Sequence, residues 1–289
     1  MNKIVIRSLV EIAVILLIGA GVAFAGSQNG AMAFGMPLFT LLVILAFAIQ
    51  AIVFVPSFIN QTEHFFDLTG SLTYITLAIL AVVLSPEMDP RSLMLMTLIL
   101  IWAGRLGAFL FMRVRRSGKD GRFDELKVSF WRFFSVWMIQ GLWVTFTAAA
   151  AFAAMTSANP RPLGAFAIIG LVVWMIGFGV EVVADKQKTR FRADEANKGR
   201  FITAGLWSIS RHPNYLGEII LWIGVAIIAF PVLQGWQCVT MISPIFVIVL
   251  LSMVSGVPLL ERRADEKWGG QADYEAYKEK TAVLIPGIW

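Results

Sequence analysis

The densest chemistry in the chain lies between Glu181 and Glu218. Lys186, Lys188, Arg190, Arg192, Lys198, Arg200 and Arg211 are interleaved there with Asp185, Asp194 and Glu195. Guanidinium groups bind phosphate through a planar fork of donors, and carboxylates accept from sugar hydroxyls. Glu181, Asp185, Lys188 and Arg192 are spaced so that a helix carries all four on one face. That face reads either as a salt-bridged helix end or as a surface that takes a ribose and its phosphates. Arg200 follows in a turn, and then comes Ser210-Arg211-His212-Pro213-Asn214-Tyr215. Proline suits a first helical turn and Ser210 is a candidate cap, so a helix is expected to begin near His212. Its amino terminus would itself attract phosphate. Asn214 and Glu218 fall one turn apart in an otherwise apolar run, which points to a ligand role alongside Tyr215. Glu261, Arg262 and Arg263 leave a later apolar run together, and the tail that follows is expected to close over the same pocket, with Arg262 as a candidate contact.

No Walker loop or GxGxxG after a strand is present, so a nucleotide here would be held by helix ends and loops. His64 and His212 are the only imidazoles and Cys238 the only thiol, without zinc-like spacing, so no metal site is expected.

The elements that must position these groups are membrane spans. Of the 289 residues 58% are hydrophobic and the mean hydropathy is +0.74, against roughly 45–50% apolar residues in soluble domains. Apolar runs of spanning length occur at about 8–25, 35–56, 67–84, 92–111, 131–154, 164–183, 216–233 and 240–260. The expected fold is all-α: a polytopic membrane bundle of about 7–8 transmembrane helices with a cytoplasm-facing cofactor site. Residues 1–60 form N-terminal spans and 61–289 the main membrane domain. Lys3, Arg7 and Ala23-Phe24-Ala25 give residues 1–25 a signal-like look, although an ordinary first span is the expected reading. With eight spans, 21 of the 24 Lys and Arg residues fall on one side. This places both termini in the cytoplasm and accounts for the net charge of +5 without nucleic acid.

Three further polar positions stand near spans. Asp67 opens the third span, either as its cap or as a ligand-facing acid, with Glu63 and His64 just before it. Arg105 lies within the fourth span, where a charge is costly, and is expected to face the bundle interior and meet an anion.

The stretch RFRADEANKGRFITAGLWSISRHPNYLGEIILWIG, with SGVPLLERR and AVLIP after it, resembles the steroid 5α-reductase superfamily. It is most similar to the bacterial branch of steroid-5α-reductase-like membrane enzymes, whose features TGSLTY, WAGRLGAFLFMR and GRFDELK are matched. The resemblance covers about residues 60–289. It implies NADPH-dependent reduction of an activated carbon–carbon double bond in a steroid-like or other lipid, in a bacterial inner membrane. By position it assigns Asp185, Arg192, Arg200, Asn214, Glu218, Arg105 and Arg116 to NADPH, with Glu181 where relatives carry asparagine. The substrate half departs from the pattern. Phe66 and Asp67 stand for a Gln-Glu pair, and Trp102 stands for a tyrosine whose phenol proton an indole lacks. Asp67 or Glu63 is then the expected polarising acid, beside Trp102. An isoprenylcysteine-type methyltransferase using S-adenosylmethionine is the alternative, and a non-catalytic lipid-binding or transport protein a second one. The basic stripe argues against S-adenosylmethionine, which has no phosphate.

Overall fold

The computed structural model describes residues 3–117 and 121–287, the side chains at 116, 117 and 122 excepted. Among the described residues seven helices are long and apolar enough to cross a membrane, and a bent pair makes an eighth candidate. The protein is a polytopic helical bundle of the bilayer. Helices are the expected solution, since lipid offers no partner to exposed backbone groups. The chain divides into two compact units, Met1–Ala167 with Ile228–Ser243, and Ile168–Ile227 with Pro244–Trp289.

In the first unit, α1 (Lys3–Gly26) leads through a small hairpin, β1 (Met32–Ala33) and β2 (Met36–Pro37), into α2 (Leu38–Ile59). The hairpin is a feature that the all-α expectation omits. Its turn residues Phe34 and Gly35 both have positive φ, 52° and 80°, as a tight two-residue connection requires. Then come α3 (Phe66–Val83), α4 (Pro90–Ser117), α5 (Phe130–Thr147) and α6 (Ala149–Met155). The last two were expected as one span, 131–154, but the chain bends by 60° between them. No proline causes this bend. The Thr147 carbonyl accepts a hydrogen bond from the Ser243 hydroxyl, a side-chain insertion of the kind that kinks helices. Beyond the bend α6 is buried on every side, as an all-apolar helix inside a bundle should be. An aromatic cluster holds the other end of the unit, with Phe66 edge-on to Trp137 at 5.1 Å and Phe54 edge-on to Phe133 at 5.7 Å.

In the second unit, α7 (Ala165–Ala193) runs ten residues past its apolar stretch, and α8 (Pro213–Ala229) packs against it. The contact is backbone to backbone. A methyl group added to Gly177 would strike Leu221 and Gly217, one on Gly217 would strike Glu181, and one on Gly224 would strike Trp174. Small residues allow this approach where lipid gives no hydrophobic drive. It sets the polar end of α7 beside the start of α8. The chain continues through α9 (Ile242–Val249), a π-helical turn at Leu250–Val254, α10 (Val257–Trp268) and α11 (Ala272–Lys280).

Candidate functional site

The segment between α7 and α8 lies along the end of α7. Gln187 accepts from the Leu206 amide at 3.0 Å, and the Trp207 indole donates to the Ala184 carbonyl at 3.1 Å. Gly205, at φ 63°, leaves no room for a side chain against Gln187. The tail then folds back over this segment. Tyr277 donates to the Trp207 carbonyl at 2.7 Å, Trp268 to the Gly199 carbonyl at 2.6 Å, and the Arg211 amide to the Ala282 carbonyl at 2.9 Å. Ser210 donates to the Leu284 carbonyl at 2.8 Å and accepts from the His212 amide at 3.2 Å. It therefore braces the turn before α8, while the His212 carbonyl accepts from Tyr215 and Leu216 as the helix starts.

These contacts enclose a cavity of about 340 Å³. Lys188, Arg192, Arg200, Arg211, Arg263 and Lys267 line it, and Glu261 is the one acid among its lining residues. Glu261 is already committed. It binds Arg211 at 2.9 Å and the His212 Nε2 at 2.7 Å. Lys188 sits over the Trp207 ring at 4.3 Å and Lys267 over Trp268 at 4.6 Å. Arg200 and Arg263, both exposed, have no side-chain hydrogen bond or ion pair among the described residues. Like charges around one cavity repel, and a pair brought to 4 Å would do so by about 1 kcal/mol even in water. A multiply charged anion relieves that repulsion, so the wall is suited to phosphate. Burial holds the His212 imidazole below its ordinary range, and Lys188 and Arg211 add to this, against the opposing hydrogen bond from Glu261. Burial also pushes the Tyr274 phenol up to about 12 and raises that of Tyr277, so both remain neutral.

Of the residues expected from the sequence, Lys188, Arg192, Arg200, Arg211 and His212 meet in this cavity. Asp185 and Glu181 lie one and two turns back from Lys188 along the same face of α7, buried at 7% and 2% exposure, outside the lining. Asn214, Tyr215 and Glu218 occupy the first turns of α8, also off the lining. Tyr215 stacks on the His212 ring at 5.8 Å, and the Asn214 Oδ1 is buried without a hydrogen-bond partner. Arg262 is exposed and does not line the cavity, whereas Arg263 does. Sequence reasoning missed Arg263, Lys267 and the bridging role of Glu261. The helical spacing of Leu260, Arg263, Ala264 and Lys267 is the signal that identifies the inward face of α10.

The remaining candidates belong to the first unit. Glu63 is buried and bound by Lys127 at 2.8 Å, with Asp124 on the same ammonium at 3.5 Å. The bond to Glu63 is the main cause of the raised Lys127 pKa. Asp67 does not cap α3. The cap position is Phe65, no side chain bonds there, and Asp67 in the first turn approaches Arg113 at 3.6 Å. Trp102 is buried edge-on to Tyr74 at 5.2 Å. Arg105 lies over the Phe109 ring at 5.7 Å. The Arg116 side chain lies outside the described residues.

Known proteins share parts of this chain. An uncharacterized protein of Schizosaccharomyces pombe is 25% identical over 230 residues, 68% of this chain and 64% of its own length. A probable O-methyltransferase of Ustilaginoidea virens is 31% identical over 80 residues, 28% of this chain and 26% of that protein. The Delta(14)-sterol reductase of Neurospora crassa is 33% identical over 76 residues, 22% of this chain and 16% of that protein. The chain thus spans less than two thirds of each of these relatives. No solved structure matches. A family match extends over residues 53–281, most of the chain. The chain therefore belongs to the family described as "Protein of unknown function (DUF1295)", part of the steroid 5α-reductase-like and sterol reductase membrane superfamily.

Proposed function

We propose that the protein is a membrane-embedded, NADPH-dependent reductase of an activated carbon–carbon double bond in a steroid-like or other lipid. The observation that carries this reading is the cavity wall, six cationic side chains against one carboxylate. A phosphate-rich ligand fits it and S-adenosylmethionine, a sulfonium without phosphate, does not. The sterol reductase among the relatives supports the same reading.

Arg192, Arg200, Arg211 and Arg263 would hold the phosphates, with Lys188 and Lys267 adding charge. Glu181, Asp185, Asn214 and Glu218 would take hydroxyl and amide groups. Bound NADPH would supply hydride to the electrophilic carbon of a conjugated system. The acids that the resemblance puts forward for polarising the other end of that system, Asp67 and Glu63, are each paired with a cation of the first unit, Arg113 and Lys127. The bilayer would be the route for a hydrophobic substrate. On the charge asymmetry of the loops both termini face the cytoplasm, which is where the cofactor enters.

The methyltransferase reading is favoured by one finding, the match to a probable O-methyltransferase. A thermal-shift panel on the purified protein separates the two. NADPH is expected to raise the melting temperature more than NADH does, and S-adenosylmethionine to leave it unchanged. Stabilisation by S-adenosylmethionine alone would reverse the assignment.

A further inference from the structure

His212 is the one ionisable group in the cavity whose charge is open to change near neutral pH. It is buried at 5% exposure and stacked on Tyr215. A carboxylate accepts, so in the neutral ring Nε2 carries the proton and donates to Glu261 at 2.7 Å. Nδ1 is then a bare lone pair, and it is buried without a partner. A second proton would turn Nδ1 into a buried donor with nothing to receive it, an unsatisfied group that disfavours the charged ring.

The charges around the ring act in the same direction. Lys188 and Arg192 come from α7, Arg200 and Arg211 from the connecting segment, and Arg263 and Lys267 from α10. Against them stand Glu261, already shared with Arg211, and, off the lining, Asp265 of α10, which interacts with Arg211 and is bonded to Tyr274 and Lys278. From α11 come the phenols of Tyr274 and Tyr277, which stay neutral. The surroundings therefore keep His212 uncharged while the cavity holds no anion.

Resting on the reading of the cavity as a phosphate site, we infer that His212 is a latent seventh cation, neutral in the free protein and protonated when a phosphate-bearing ligand enters. An oxygen-rich anion removes both obstacles. It offsets the surplus of positive charge, and it offers an acceptor for a proton at Nδ1, the ring atom that has none. Ligand capture is then linked to the uptake of one proton, so binding tightens as the medium becomes more acidic. Glu261 acts as a positioning residue, because its grip on Nε2 leaves Nδ1 as the site that gains the proton.

The test is NADPH binding to the full chain in detergent, from about pH 8 to about pH 6 at constant ionic strength. Wild type is compared with His212→Gln, which keeps a donor for Glu261 and cannot gain a proton. Taking the ratio of the two affinities cancels the titration of the ligand's own phosphate. The ratio is expected to rise as pH falls, approaching about tenfold per pH unit at its steepest. Parallel profiles overturn the inference. If the variant does not fold, calorimetry of the wild type in two buffers of different ionisation enthalpy reads the proton directly. Uptake approaching one proton supports the inference, and no uptake sinks it. If NADPH fails to bind the wild type at any pH, the nucleotide reading falls. The linkage is then read with inorganic sulfate in the same pair, where an unchanged ratio overturns it.

Discussion

On α10, Arg263 turns into the cavity while Arg262 stands exposed outside its lining. One residue of helix is a rotation of about 100°, and here it separates a side chain that can touch an anion from one that cannot. Replacing Arg263 by alanine is expected to weaken NADPH about tenfold, the lower end of the range for a charge-assisted hydrogen bond. Arg262→Ala is expected to leave affinity within a factor of about two, since it removes a solvated charge. Equal losses from the two in a fluorescence titration would mean that net charge, not this wall, drives binding. Both arginines stand in the sequence with equal claims, and the sequence reading names Arg262 as the contact. Helical spacing relative to Leu260 and Lys267 distinguishes them, once the tail is known to return to the 205–212 segment. That return ends on backbone carbonyls, those of Trp207, Gly199, Ala282 and Leu284, which leave no mark in side-chain type. By contrast, the spacing of Lys188 and Arg192 on α7 and the turn at Arg211-His212 were legible, because they are local.

Among the elements, α7 and α8 depend on the glycines between them. Gly217 faces the backbone of Glu181, so this contact sets the height of the buried acids on α7 relative to Asn214 and Glu218 on α8. Gly217→Val forces two backbones apart. Overpacking of a tight contact costs about 1–3 kcal/mol, and a backbone that cannot yield puts this change at the upper end. The expected result is a melting temperature lowered by several degrees together with weakened NADPH binding. Gly179→Val, where a methyl meets nothing within 4 Å, is the control and is expected to change neither. An unchanged melting temperature for Gly217→Val would remove the glycine contact from the account. The spans were readable because lipid demands long apolar helices. The break between α5 and α6 was not, since an alanine-rich run looks the same whether lipid or protein surrounds it. The hydroxyl that receives the bend, Ser243, comes from far along the chain.

For the molecule as a whole, the uneven distribution of basic residues and the make-up of the cavity wall have one physical origin. Cations are costly inside a bilayer, so they gather where the chain meets water, and the second unit encloses part of that surplus around a cavity. The central claim is that a phosphate-rich nucleotide occupies this cavity. The most direct measurement is a structure of the protein determined with NADPH. Phosphate groups lying among Arg200, Arg211 and Arg263, with the His212 ring beside them, are predicted. A cofactor bound elsewhere in the chain, with Arg200 and Arg263 still in solvent and Arg211 still on Glu261, would contradict the account.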